Sequence, residues 1–379
     1  MTPYQRLTSL DAFRGFAIAG MVLVNNPGDW AALYPQLAHA AWHGCTFTDW
    51  IFPFFLFAVG VSMTISLDVR ARGGAGDGAL LAAMARRAAV IFLVGLALNA
   101  VPHFDWERLR IPGVLQRIAL CALVAAPIAL HCRWRGVVGW IGALFALYTL
   151  PMLLWPVPDA NGVVGAGVLE PGRDFGAWVD RQVFGSHVWR AAGTWDPEGL
   201  VSTLPAVGTV LIGVLAGRGL AASRPAAETT AWLLLAGLAL AAAGWVADTA
   251  LMPINKNLWT PSYTLFTGGW ALCGFAALYW LLDAAPQPRL RQAAARLLLP
   301  LVVYGRNALF LFVLSGLLAR LLLHFTLADG RSFKQALYAP IQALPLAPRD
   351  ASLLWALAFQ AMMFAVAWWM WKRRWFITA

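Results

Sequence analysis

The chain has 379 residues, 60% hydrophobic and 12% charged, with a mean hydropathy of +0.65. Soluble domains average roughly 45–50% apolar and about 25% charged, so the composition excludes an ordinary soluble enzyme and indicates a polytopic membrane protein. The net charge of +10 sits mainly in short loops, and no basic stripe interleaved with aromatics suggests nucleic acid.

About 20 apolar residues cross the hydrocarbon of a bilayer. By that measure spans are predicted near 8–26, 47–67, 85–101, 112–131, 136–155, 199–218, 229–250, 262–282, 297–324 and 352–371. The fold class is therefore an all-α transmembrane bundle of about ten helices, forming one domain over the whole chain. The first run holds Asp11 and Arg14 and lacks a small-residue cleavage site, so it reads as a retained helix rather than a signal. Residues 68–84, rich in Gly and Ala with basic ends, predict a flexible connection. The longest loop, 156–198, carries turn signals at Pro156, Pro158 and Pro171-Gly172, and a loop of that length has structure or a function of its own. A shorter, Pro-rich stretch follows at 326–350.

Short-loop arginines, among them Arg70, Arg72, Arg86, Arg87, Arg133 and Arg135, crowd one side, which predicts cytoplasmic termini and an outside loop after the first span. The four cysteines, Cys45, Cys121, Cys132 and Cys273, show neither disulfide nor zinc spacing. No internal repeat stands out, which argues against an inverted-repeat transporter.

Ionisable and amide groups gather in two sets. Ionisable side chains within spans are expensive and usually face a cavity or one another. On the inner side, Asp11 and Arg14 share a helix face, where they neutralise each other or Arg14 receives an anionic cofactor. Arg306-Asn307, in the ninth span, adds a second buried cation, with a bound anion or Asp11 as its partner. The outer set comprises His39, Trp42, His43, Asp49, Gln116, Arg117, the run Asn255-Lys256-Asn257, Trp259 and Tyr263. Amides, hydroxyls and aromatic faces of this kind suit a sugar. Plainer uses compete: Asp49 and Ser262 suit helix N-termini, Asn25 suits a left-handed turn before Pro27-Gly28, and Glu198 suits the start of the sixth span. Imidazole titrates near neutrality, so His39 can act as a base or accept an acyl group, or merely cap a turn.

The motif LDAFRG at 10–15 is followed by Val24-Asn25 at the helix end, by H-x-x-W-x-G-x-T-x-x-D from His39 to Asp49, and by FPFFLF-x-VG at 52–60. With GVLQR, PEGLVSTLPAVGTVLIG, NKNLWTPSYTLFTGG and YGRNALFLF in the same order, the chain resembles the catalytic domain of heparan-alpha-glucosaminide N-acetyltransferase and its bacterial NagX-type relatives. The family's W-N-G here reads Trp42-His43-Gly44, and the extra lumenal domain of the family is expected to be missing. The resemblance implies transfer of an acetyl group from cytoplasmic acetyl-CoA to an amino sugar at the outer face of a bacterial inner membrane. It implies His39 as general base, Asn25 beside it at the developing oxyanion, and a homodimer. A sugar permease without covalent chemistry is the alternative class, and turnover of acetyl-CoA separates the two.

Overall fold

Backbone meets backbone at the centre of the bundle. A Cβ on Gly60 would stand 2.0 Å from the carbonyl oxygen of Val210, and one on Gly213 would stand 2.1 Å from that of Phe57. Only glycine permits so close an approach, and small residues at helix contacts are what membrane bundles use in place of a hydrophobic drive. The two glycines belong to the second and seventh of the fourteen α-helices among the described residues, and these two form the core around which the others stand.

The computed structural model describes residues 6–222 and 224–377. In chain order the first helices are α1 (Thr8–Val24), α2 (Phe47–Arg72), α3 (Asp77–Ala100), α4 (Val114–His131), α5 (Trp134–Leu154) and α6 (Phe175–Phe184). Then come α7 (Thr203–Ala221), α8 (Ala226–Ala250), α9 (Pro261–Tyr279) and α10 (Pro288–Leu297). The last are α11 (Leu299–Arg306), α12 (Ala308–His324), α13 (Phe333–Gln342) and α14 (Pro348–Lys372). The strands among the described residues are β1 (Val157–Pro158) and β2 (Val164–Gly165), paired antiparallel.

Among the described residues eight helices are long and apolar enough to cross a membrane, nine if the bent pair α11–α12 counts as one span. The reading of about ten also counts α1, which at 17 residues is shorter than these. α1 lies along α2, where Phe13 stacks on Phe54 with centroids 5.4 Å apart and Phe57 meets its edge.

Three sequence expectations are corrected. Residues 68–84 are not a flexible link: α2 continues to Arg72 and α3 starts at Asp77, because Ala, Leu and Arg favour helix and only Gly73 to Gly76 interrupt them. The span over 297–324 is not continuous: it breaks at Asn307 with a bend of 81°. Asn307 there adopts φ −126°, ψ 36°, outside the helical region, and its side chain serves the C-terminal segment instead of either helix. The sixth span begins at Thr203, not 199, because Asp196 to Ser202 form turns that serve an ion-pair network. The loop 156–198 does have structure of its own, in β1, β2 and α6.

Candidate active site

The turn between α1 and α2 is built around one carboxylate. Thr46 caps α2, and Asp49 answers from the third helical position by accepting from the Thr46 amide at 3.0 Å. The same oxygen, Oδ2, accepts from the amide of Ala40 at 3.0 Å, while Oδ1 lies 2.6 Å from Nδ1 of His39. Tyr263, from α9, donates its hydroxyl to the Asp49 carbonyl at 2.5 Å. Asp49 is buried with both oxygens occupied, whereas the His39 side chain is 45% exposed. A carboxylate at Nδ1 fixes the proton there and leaves Nε2 as the acceptor nitrogen of a partly exposed ring.

His43 is held the opposite way. The side-chain amide of Asn255 donates to its Nδ1 at 3.2 Å, which places the ring proton on Nε2. Asn255 is fully buried, accepts from the Leu258 amide through Oδ1, and joins Gly44 in an isolated bridge, so it ties the α8–α9 loop to the histidine loop. Thr260 then caps α9, and Ser262, which suits a helix N-terminus by sequence, sits two residues later with its hydroxyl against that of Thr260. Trp42 donates its indole N–H to the carbonyl of Leu169 at 2.6 Å, and its ring meets Trp195 edge-on, so the loop 156–198 closes over this region.

Behind these groups lies α4. Arg117 is 1% exposed and its guanidinium stands 5.0 Å from the centroid of Trp259, which adopts φ +52° to present its ring. One nitrogen of Arg117 donates to Gly199 and Ser202, while among the described residues Nε and Nη1 make no hydrogen bond, nor does the amide nitrogen of Gln116. Buried donors left unmade cost about 1–3 kcal/mol each, so this pair is poised for acceptors of a ligand or of water. Arg110 clasps Asp196 through two nitrogens at 2.8 and 2.6 Å and reaches Glu198 at 2.6 Å. Burial works against the charge on Arg110, but the two carboxylates outweigh it and push its pKa up. Burial likewise opposes the charge on Glu198, and Arg110, Lys256 and Arg117 together hold it below the usual carboxylate range.

Asn257 lines a small cavity with Asp174, Asp180 and Ser202. Burial raises Asp180 to about 7 and Asp174 to about 6, with the charges of Asp196 and Asp174 adding to the rise at Asp180. Burial also pushes the Cys45 thiol up, so it is a packed group and not a thiolate. Asn25 ends α1 in a right-handed conformation, φ −89°, not the left-handed turn considered for it. Its side chain is exposed and makes no hydrogen bond among the described residues.

At the other end Asp11 gathers three arginines. Arg6 pairs with it tightly, at 2.6 and 2.9 Å, while Arg14 and Arg306 each approach to 3.9 Å. Arg306 sits at the α11–α12 break, its guanidinium 4.0 Å from the centroid of Phe376 and 5.6 Å from that of Trp371. α11 reaches α1 because Gly15 and Gly305 admit the other helix's backbone, Leu301 and Asp11 respectively. Asn307 is already engaged by the backbone of Trp375 and Ile377. Asp283 accepts from the amides of Thr8 and Ser9 and so anchors the start of α1. Sequence reasoning missed Arg6, Asp283 and the aromatic pair. An arginine five residues before Asp11 and a basic, Trp-rich C-terminus were the available signals.

Comparison with known proteins places residues 6–252 on the family described as heparan-alpha-glucosaminide N-acetyltransferase, catalytic. The chain is 28% identical over 338 residues to the Homo sapiens protein called heparan-alpha-glucosaminide N-acetyltransferase, covering 73% of this chain and 49% of that one. To the Mus musculus protein of the same name it is 25% identical over 327 residues, with the same two shares. The chain thus spans about half the length of these curated relatives.

Proposed function

The chain belongs to the heparan-alpha-glucosaminide N-acetyltransferase catalytic family, and from that premise we propose that it transfers an acetyl group from acetyl-CoA to the amine of an amino sugar. The observation that carries the reading is the His39–Asp49 pair, an exposed imidazole whose Nδ1 is held by a buried carboxylate. Nε2 of His39 takes a proton from the sugar's nitrogen as that nitrogen attacks the thioester carbonyl. The tetrahedral intermediate then collapses, the C–S bond breaks, and the coenzyme thiolate leaves with the proton that His39 returns. Asn25, with its amide free at the end of α1, is assigned to the oxyanion. Asp49, expected from the sequence to touch substrate, is assigned instead to orient His39, because its oxygens are spent within the protein.

His43, Trp42, Gln116, Arg117, Lys256 and Asn257 are proposed to receive the acceptor, with Asn255 and Tyr263 holding the loops that carry them. The inner end suits the donor's phosphates: Arg6, Arg14 and Arg306 outnumber the single carboxylate of Asp11, and arginine is the cation that recognises phosphate through paired donors. Asn307 is assigned to bracing the C-terminal segment there. The α1 N-terminus and the α14 C-terminus share that end, since Arg306 touches Asp11 and Trp371 alike. We place it in the cytoplasm and the histidines at the periplasmic face of a bacterial inner membrane, in a homodimer.

The test is release of free coenzyme by purified protein given acetyl-CoA and glucosamine. Release that depends on the sugar and on His39 supports the reading. Sugar uptake into vesicles without release overturns it in favour of a permease.

A further inference from the structure

A groove of about 470 Å³ opens on the flank of the bundle, between the α10–α11 junction and α14. Leu299 and Pro300 form one wall, Phe364, Ala365 and Trp368 the other, and Arg296 stands at the rim. The α14 residues recur at three- and four-residue spacing, so one helix face is turned to the groove. One turn beyond Trp368, Lys372 holds its ammonium 5.1 Å from that indole's centroid and adds a second cation to the rim. Arg289 and Arg291 on α10, and Arg373 and Arg374 after α14, extend the basic patch.

The sequence has no Asp or Glu between 284 and 328 or after Asp350, and among the described residues Arg296 and Lys372 form no ion pair. Open apolar walls in a membrane are covered by acyl chains, and basic clusters beside transmembrane helices attract the phosphates of anionic lipids. We propose that this groove binds an anionic glycerophospholipid, its phosphate between Arg296 and Lys372 and an acyl chain along Phe364 and Trp368. The site has a structural consequence. α11 is both a wall of the groove and the helix that packs on α1 through Gly15 and Gly305, so the lipid braces the bent pair that carries Arg306.

Native mass spectrometry of the detergent-purified full chain, titrated with phosphatidylglycerol or phosphatidylcholine, tests this. The anionic lipid is retained about tenfold more strongly, one per chain, and the preference vanishes in the double variant Arg296→Gln/Lys372→Gln. Both substitutions lie at the exposed rim, and circular dichroism confirms that the variant is folded. Ala365→Trp, which fills the groove, lowers retention of both lipids. Equal retention of the two lipids by the unmodified protein overturns the proposal, as does a preference that survives in the double variant. Loss of a dimer in Ala365→Trp, with lipid retention unchanged, overturns it in favour of a second copy of the chain.

Discussion

His39 and Asp49 stand ten residues apart in the chain, and their side chains meet at 2.6 Å across the cap of α2. The capping box that starts the helix is the same arrangement that aims the imidazole, so helix stability and base orientation share one carboxylate. Asp49→Asn therefore tests both. We expect kcat to fall roughly 10²–10⁴-fold with the KM for acetyl-CoA little changed, because the wrong ring nitrogen then carries the proton. A fall in thermal stability without a matching fall in kcat is the opposing result. His43→Ala, which leaves the pair intact, should cost far less turnover.

The course of transfer is separable by a half-reaction. With acetyl-labelled acetyl-CoA and no sugar, direct attack predicts no label on the protein. Stoichiometric label that disappears in His39→Ala would show an acetyl-histidine intermediate and a ping-pong course instead.

Arg306 offers a test of the donor end. Hydrogen bonds to charged groups are worth about 1.5–3 kcal/mol, so Arg306→Ala should weaken acetyl-CoA binding roughly 10- to 100-fold and leave the acceptor's KM alone. Isothermal titration reads the first and steady-state kinetics the second. Unchanged donor affinity with a lowered melting temperature would reduce Arg306 to a partner of Asp11.

Asp180 predicts a pH slope. Its folded pKa, about 7, lies above the unfolded value near 3.8, so between those limits the native state binds the extra proton. Stability should therefore decline as pH rises from about 4 to about 7 and level off above, by up to a few kcal/mol. Asp180→Asn should flatten that slope in melting curves taken across the range. An unaltered slope would assign it to other groups.

Sidedness is open to reporter fusions. Gly74, between α2 and α3, and Gly165, in β2, should label opposite faces of the membrane. Labelling on one face would remove the two-ended arrangement altogether.

The spans were legible because a bilayer demands long apolar runs, and His39 stood out as a candidate because its spacing to Trp42 and Asp49 is a local pattern. What stayed hidden was through-space or conformational. Asp283 anchors the start of α1 from 275 residues away, and no window of sequence reveals that contact. Glu198 looked like a helix start, whereas its partner Arg110 lies 88 residues back in another loop. The bend at Asn307 left only faint marks, a Gly305 and an Asn within an otherwise unbroken apolar run, so hydropathy joined two helices that meet at 81°.

The seam of Gly60 against Gly213 has a consequence for how anything gets through this protein. Moving a sugar by alternating access requires one half of a bundle to rock on the other, and rocking needs interfaces with slack. Backbones packed this closely tie α2 and α7 into one tight axle, with no room for even a methyl group between them. An acetyl group carried on a thin, flexible arm asks for no such motion. Under the proposed reaction, only a thioester has to traverse the protein while the axle stays still.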